Sequence, residues 1–310
     1  MSERVDVKVG FSCNNRCRFC VQGDKRKRYP DKPTPEVKAL LEDARKDADS
    51  IVFTGGEFTI RKDAVELVRF ASSLGFRRIQ VQTNGRMLAY RAFCEDLIAA
   101  GANEFSPALH GPLAEIHEYL TRSRGSFSQT VKGIENLVDL GQKVLTNTVV
   151  VRSNYRHLPD LASLFIDLGV DQYQLAFVHP AGAAGDNFYS IVPRLTLVEP
   201  YLTEAIEKGL AANVSVMTEA VPYCFLPGYE DCAAELYIPR TKIFDADNVL
   251  EDYTQYRLTE GKVHGPACKD CLWMGICEGP WREYVEGYGA DELVPRKDDP
   301  GEHGYKARRA

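Results

Sequence analysis

The sequence predicts an α/β fold: a partial (β/α)6 TIM-like barrel over residues 1–212, a small cysteine-rich domain over 213–295, and a disordered tail over 296–310. Three observations carry this. Strand and helix patterns alternate from residue 5 to about 212, six of each. The rhythm then breaks, and five of the nine cysteines follow among prolines and glycines. Segments suited to ligand binding fall where successive strands end. Alternation of this kind implies a parallel sheet with right-handed crossovers. It leaves an open doubly wound sheet and a partial barrel as the two candidates.

The first strand is the apolar run from Val5 to Val9. Further strands are expected at Ile51–Phe53, Arg78–Val81, Glu104–Ser106, Val144–Val151 and Gln172–Phe177. Helical patterns follow near 35–46, 62–74, 88–100, 127–140, 157–168 and 196–210. In the second of these, Val65, Val68, Ala71 and Leu74 recur at helical spacing, as Leu158, Leu161, Leu164, Phe165 and Leu168 do in the fifth. Four helices meet a glycine at their ends, Gly75, Gly101, Gly141 and Gly169. Glycine tolerates the left-handed conformation that closes a helix. After residue 213 helical periodicity fades, and the core there is too thin to stand without a metal staple. The charged, glycine-containing end from Arg296 to Ala310 reads as disordered.

At 310 residues, 44% hydrophobic and 26% charged, the chain has the composition of a soluble globular protein. A net charge of −6 argues against general nucleic-acid binding, which needs a basic excess to neutralise phosphates. The run Lys25-Arg26-Lys27-Arg28 reads as a solvated loop, with contact to an acidic partner as the alternative. No stretch reaches the roughly 18 apolar residues of a membrane span. The start lacks the apolar core of a signal peptide, so a cytoplasmic location is expected, with no membrane and no nucleic-acid partner. Nine cysteines there read as metal ligands or core residues, not as a disulfide framework.

Three thiols, Cys13, Cys17 and Cys20, stand in one short loop straight after the first strand. Soft thiolates this close suit zinc or an iron–sulfur cluster. A structural zinc site wants a fourth close ligand, and none follows at standard spacing. Three ligands on a four-iron cluster leave one iron open for chemistry. The spacing C-x3-C-x2-C, with Phe19 before the last cysteine, resembles the hallmark of the radical S-adenosylmethionine superfamily. Thr54-Gly55-Gly56-Glu57 after the second strand resembles that family's GGE motif. The resemblance implies that Gly55, Gly56 and Glu57 receive the methionine ammonium of the cofactor. Two glycines let a ligand approach the backbone, and a carboxylate accepts from an amine. As a bare pattern the same segment is only a βα turn.

Gln82-Thr83-Asn84-Gly85 follows the third strand, and Ser106-Pro107-Ala108-Leu109-His110-Gly111 ends the fourth, with His117 and Arg122 beyond. The resemblance makes Asn84 and Ser106 cofactor-binding candidates and His110 and Arg122 weak catalytic candidates. Asn147 and Arg152, beside the fifth strand, rank below them. Taken singly, each of these residues reads more simply as a packing or capping residue. Cysteine loop, glycine turn, Asn-Gly turn and His110 all lie at the C-terminal ends of strands, the face where barrels assemble active sites. That convergence favours the partial barrel. No dinucleotide glycine fingerprint follows the first strand.

Beyond the barrel, Cys268-x2-Cys271-x5-Cys277 resembles the auxiliary-cluster domains of the superfamily called SPASM or, when shortened, twitch. The resemblance makes Cys224 the upstream ligand, so that Cys224, Cys268, Cys271 and Cys277 would hold a second [4Fe–4S] cluster. No cysteine follows three residues after Cys277, which departs from the full pattern and leaves one auxiliary cluster as the natural count. A zinc knuckle on the same four residues is the alternative. Cys232 reads as a free thiol, with a substitute ligand or a substrate-facing residue as the alternatives, and Cys94 as a buried small hydrophobe.

The resemblance implies that a [4Fe–4S] cluster and S-adenosylmethionine together yield a 5′-deoxyadenosyl radical, which abstracts a substrate hydrogen. The electron would come from a low-potential donor such as flavodoxin or ferredoxin. A second cluster suits an oxidative outcome, so the expected substrate is a peptide or protein, with a small molecule as the alternative. The barrel pattern starts close to Met1, so no preceding peptide-recognition domain is expected. From another class, the rival is a non-catalytic iron–sulfur or zinc-binding protein. The intact Gly55-Gly56-Glu57 beside the cysteine triplet speaks against it, since a mere carrier needs no amine site.

Overall fold

The computed structural model describes residues 3–301. Strands β1 (Arg4–Lys8), β2 (Ser50–Thr54), β3 (Arg78–Thr83), β4 (Glu104–Pro107), β5 (Lys143–Val150) and β6 (Gln172–Phe177) are the six expected ones. Three more join them: β7 (Ser215–Glu219), β8 (Thr241–Phe244) and β9 (Val249–Leu250). All nine form one sheet in the order β7-β6-β5-β4-β3-β2-β1-β8-β9, which is not closed. Every neighbouring pair is parallel except β8 with β9.

Strands β1, β3, β5 and β7 alternate as half-buried strands do, while β2 and β4 are buried along nearly their whole length. In β1, Val5 and Val7 are buried while Arg4, Asp6 and Lys8 turn to the other face. That other face is laced by cross-strand polar bonds: Thr54 to Gln82 at 2.6 Å, Gln80 to Glu104 at 2.8 Å, Lys143 to Glu104 at 2.8 Å and Gln174 to Glu219 at 2.6 Å. A closed barrel fills its interior with branched apolar side chains. This sheet instead keeps one hydrophilic face.

The six expected helices are present as Thr34–Asp47, Ala64–Ser73, Arg91–Ala100, Ser126–Asp139, Leu158–Leu168 and Leu195–Ala211. Gly75, Gly101, Gly141 and Gly169 all take positive φ, as helix-closing glycines should. Helix Ala114–Thr121 was not expected. It is short, and its histidine and two glutamates blur the apolar stripe. No helix among the described residues is long and apolar enough to cross a membrane.

Three further expectations change. Strands β7 and β8 come from the stretch expected to form a separate small domain. β7 pairs with β6 from Gln172↔Ser215 to Ala176↔Glu219, and β8 with β1 from Arg4↔Thr241 to Val7↔Phe244. Runs of four or five residues carry too little periodicity to announce themselves. The run Lys25–Arg28 is a one-turn helix, not a loop. The tail is not free at its start: Arg296 lies 4.0 Å over the Trp273 ring and bonds Glu230 Oε1 at 2.5 Å. Trp273 Nε1 donates to Asp298 O at 3.1 Å. Residues 302–310 of that tail lie outside the described residues.

Candidate active site at the strand ends

From β1 the chain enters the loop of Cys13, Cys17 and Cys20. A loop that turns its thiols inward exposes backbone groups, and these need partners. Asp31 Oδ1 accepts from Phe11 N at 2.8 Å and Ser12 N at 3.0 Å. Arg26 donates to Cys13 O at 2.6 Å and Asn15 O at 3.0 Å, and Arg86 to Asn14 O at 2.6 Å. Ala183 N reaches Cys20 O at 3.0 Å, and Arg16 N and Arg18 N bond Thr121 O and Leu120 O. Two guanidiniums therefore clamp three successive carbonyls of the loop. One of them belongs to the basic run.

The thiols are half-buried. Cys13 Sγ accepts from Asn15 N at 3.3 Å and from Asn84 Nδ2 at 3.8 Å. Burial pushes the Cys13 thiol pKa up, and it pushes Cys17 up further with help from the neighbouring Cys20 and Cys13. Unmetallated, these groups stay protonated. A bound metal takes them as thiolates and releases the protons.

The glycine turn serves the cysteine loop directly. Gly56 N donates to Gly10 O at 2.9 Å and Glu57 N to Ser12 O at 2.8 Å. A Cβ on Gly55 would sit 2.3 Å from Gly10 O, and one on Gly56 2.3 Å from Ser12 O. The close approach these glycines permit is to that loop's backbone. Glu57 is 3% exposed. Its Oε1 accepts from Thr59 N at 3.0 Å, Thr59 Oγ1 at 2.6 Å and Thr83 Oγ1 at 2.6 Å, and its Oε2 accepts from Asn84 N at 2.6 Å. The carboxylate thus ties the end of β2 to the end of β3. Oε2, with one hydrogen-bond partner among the described residues, keeps acceptor capacity for an amine.

Asn84 stands between the motifs: its Nδ2 also donates to Asn14 Oδ1 at 2.6 Å. Ser106 is buried in β4 beside Gln82. His110 is buried, accepts from Val149 N at 3.3 Å, and meets the Phe19 ring edge-on with centroids 4.8 Å apart. Its own N donates to His117 Nδ1 at 3.1 Å. Burial drives the His110 pKa well below the usual imidazole range and that of His117 to about 4, so both are neutral at physiological pH. His110 packs against Phe19 of the cysteine loop. Arg122 is exposed, closing helix Ala114–Thr121 at φ 53°. Asn147 Oδ1 is buried without a partner among the described residues. Arg152 is held by Tyr288 Oη at 2.9 Å and Val192 O at 3.4 Å.

The C-terminal thiols converge independently. Cys224, Cys268, Cys271 and Cys277 line one small pocket with Pro222, Trp273 and Leu293. Gly279 N donates to Cys277 Sγ at 3.4 Å and Arg296 N to Cys271 Sγ at 3.3 Å. Burial raises the thiol pKa of Cys268 and Cys277, and that of Cys224 to about 12. Beside Cys277 lies a buried ion network. Arg257 grips Glu278 at 2.8 and 2.9 Å, and Lys262 bonds Glu235 at 2.6 Å and Glu278 at 2.9 Å. Among the described residues no three His, Cys, Asp or Glu side chains close on a single-ion point. Cys232 is buried beside β7, outside that cavity's lining. Cys94 is buried, and its Sγ donates to Leu88 O at 3.1 Å.

Sequence reasoning missed Arg26, Arg86, Asp31, Thr59, Thr83 and Arg296. All act on backbone or on another side chain, and a lone arginine or threonine carries no spacing signal. Gly182 was also missed. A Cβ there would stand 2.7 Å from Cys20 O.

The family model described as Radical SAM superfamily matches residues 7–165, about half of the chain. The AdoMet-dependent heme synthase of Oleidesulfovibrio alaskensis is 32% identical over 178 residues, 57% of this chain and 45% of that protein. The chain thus spans about half the length of that relative. Among solved structures, Streptococcus suis SuiB bound to precursor peptide SuiA superposes with a TM-score of 0.64 at 16% identity, covering 96% of this chain and 75% of that one. Native anSMEcpe with bound AdoMet and Cp18Cys peptide gives 0.65 at 15% identity, covering 100% and 95%. These two share the fold. The family match runs from β1 through the cysteine loop, the glycine turn and the rim of β3 to helix Leu158–Leu168, and the chain belongs to the radical S-adenosylmethionine superfamily.

Proposed function

We propose that the chain is an enzyme that binds a [4Fe–4S] cluster through Cys13, Cys17 and Cys20, cleaves S-adenosylmethionine reductively, and oxidises a peptide or protein substrate. The observation that carries the reading is the pinned loop of three thiols, locked to Gly56 and Glu57 by backbone bonds of 2.9 and 2.8 Å. The donor set fits the cofactors. The thiols are soft and half-buried, Cys13 Sγ already accepts N–H bonds, and Asn147 holds a buried acceptor. When bound, the cluster and S-adenosylmethionine supply a 5′-deoxyadenosyl radical that removes a substrate hydrogen atom.

This chain's residues would do the rest. Glu57 Oε2, fixed by Asn84 N, would take the cofactor's ammonium. Gly55 and Gly56 would present backbone to the methionyl end, while Asn84 and Ser106 would line the ribose and carboxylate side. His110, neutral and buried, would hold Phe19 and exclude water. Arg86 and Arg26 would keep the loop's carbonyls turned outward. Positioning and exclusion of solvent are what a protein adds to cofactor chemistry.

The second four-thiol cavity supports an auxiliary [4Fe–4S] cluster on Cys224, Cys268, Cys271 and Cys277, in a SPASM- or twitch-like arrangement. With four protein ligands it would take an electron from the substrate and not bind it. A peptide is favoured because SuiB and anSMEcpe, which share the fold over nearly the whole chain, were each solved with a peptide. A small-molecule substrate is the second reading, favoured by the relative named as a heme synthase. The test is anaerobic turnover. Reconstituted protein with dithionite should convert S-adenosylmethionine to 5′-deoxyadenosine and methionine. No such product, with zinc in place of iron, would sink the reading in favour of a binding module.

A further inference from the structure

The hydrophilic face of the sheet carries one negative charge more than its own cations answer. Ser106 of β4, Asn147 of β5, Gln174 of β6 and Glu219 of β7 all lie on that face. Glu219 is the last residue of β7 and stands shortly before Cys224. It is partly exposed. Gln174 Nε2 donates to its Oε2 at 2.6 Å, and its Oε1 has no hydrogen bond among the described residues. Asn147 Oδ1, on the same face, is a second acceptor without a partner there. The charged groups close enough to act on Glu219 are Glu235, Lys262, Arg257 and Arg4, with Tyr253 beside them. Each of these cations is already engaged. Lys262 bonds Glu235 at 2.6 Å and Glu278 at 2.9 Å, Arg257 holds Glu278 at 2.8 and 2.9 Å, and Arg4 pairs with Asp6 at 2.9 Å. Glu219 is the carboxylate of this group left without a counter-charge. Burial, and then Glu235, push its carboxyl above the ordinary carboxylate range. The next residue carries strain. Ala220 holds φ 59°, a left-handed conformation its Cβ disfavours, and its N donates to Glu235 Oε1 at 2.7 Å. Such conformations persist where the surroundings fix them, and they cluster at binding and catalytic sites.

We propose that Glu219 anchors a positively charged group of the substrate, an amine or a guanidinium, on the hydrophilic face of the sheet. The inference rests on the proposed reading of the chain as an enzyme, and it names the substrate class for that site. Chemistry selects the ligand. Ammonium and guanidinium groups only donate, and the open atoms here, Glu219 Oε1 and Asn147 Oδ1, only accept. A neutral ligand would leave the lone charge unanswered, and an anion would add repulsion. In a half-buried site a charge-assisted bond is shorter and stronger than a neutral one, and water screens it less. The anchor is a binding contact: no proton or electron moves and no covalent bond forms or breaks at Glu219. Its effect is positional. Fixing one charged group fixes how far along the substrate the reacting C–H bond must lie.

The test uses the reconstituted protein with S-adenosylmethionine present and three capped tripeptide probes, acetyl-Gly-X-Gly-amide, with lysine, glutamine or glutamate at X. Binding is measured by calorimetry at one salt concentration. The wild type should bind the lysine probe about tenfold more tightly than the glutamine probe, and the glutamate probe most weakly. E219Q keeps the side-chain shape and an acceptor for Gln174, so it should bind the lysine and glutamine probes alike, with its affinity for glutamine unchanged. E219D keeps the charge and should keep a preference for lysine. E135Q, at an exposed carboxylate paired with Lys132, should match the wild type. Butylamine binding as tightly as the lysine probe supports the anchor and places the cation on a small molecule. Tighter binding of the lysine probe supports it and places the cation on a peptide. Should E219Q fail to fold, the wild-type preference and E219D still decide. Equal affinity of the wild type for the lysine and glutamine probes, no binding of any probe, or a lysine preference that survives in E219Q would overturn the proposal. Absence of 5′-deoxyadenosine from the wild type under dithionite would instead refute the cysteine-loop reading.

Discussion

The two thiol sites are built by opposite strategies. The first takes three cysteines from one short loop and has almost every neighbouring strand end hold it: β2 through Gly56 and Glu57, β3 through Asn84 and Arg86, β4 through His110 under Phe19. The second gathers Cys224 from just after β7 and three cysteines from a stretch poor in regular structure. Its support is Trp273 under Arg296, and the buried network of Arg257, Lys262, Glu235 and Glu278. A site embedded in a nine-stranded sheet can leave a coordination position open and keep its shape. A site in a thin core uses every ligand to hold itself together.

That contrast can be broken by substitution. Replacing Cys13, Cys17 and Cys20 by alanine should bring 5′-deoxyadenosine formation to background while the protein still folds, which activity and circular dichroism would show together. Replacing Cys268 and Cys271 should do the reverse. Residues 220–296 should become protease-sensitive and oxidised product should vanish, yet dithionite-driven cleavage of S-adenosylmethionine should continue. If the second pair of changes left proteolysis unaltered, that site would not be a staple.

A smaller effect separates the sites by pH. His117 titrates ordinarily near 6.5 when unfolded but is held to about 4 in the fold, with His110 also depressed. Between those values the unfolded chain binds protons that the native barrel refuses, so stability falls as pH drops from 6.5 to about 4 and is flat above. His117 alone accounts for about 3 kcal/mol at 1.36 kcal/mol per pKa unit. H117Q should flatten the slope of urea midpoint against pH. An unchanged slope would mean that other groups control it. Smaller still, Arg296→Ala should cost about 2 kcal/mol and release metal from the second site before the first on titration with a chelator.

Legibility followed the same division. The six βα units were readable because long amphipathic helices and their closing glycines repeat a period, and the cysteine triplet because its spacing is local. Strands β7 and β8 were not, being short runs whose partners lie in distant sequence. Gly55 and Gly56 were singled out for close approach of a ligand. What approaches is the cysteine loop's own backbone, which only the fold reveals. The basic run looked like solvated charge, yet Arg26 clamps Cys13 O and Lys25 bonds Asp245 at 2.7 Å. Side chains that act on carbonyls leave no pattern to read.

The measurement closest to the central claim is electron paramagnetic resonance of the two cysteine variants, reduced, with and without S-adenosylmethionine. Each should retain about four of about eight irons. The signal of the variant lacking Cys268 and Cys271 should change when S-adenosylmethionine is added, because on the proposed reading its remaining site would keep an open iron. The signal of the variant lacking Cys13, Cys17 and Cys20 should not respond. A response in the second variant, or zinc at either site, would contradict the account of one open and one closed centre.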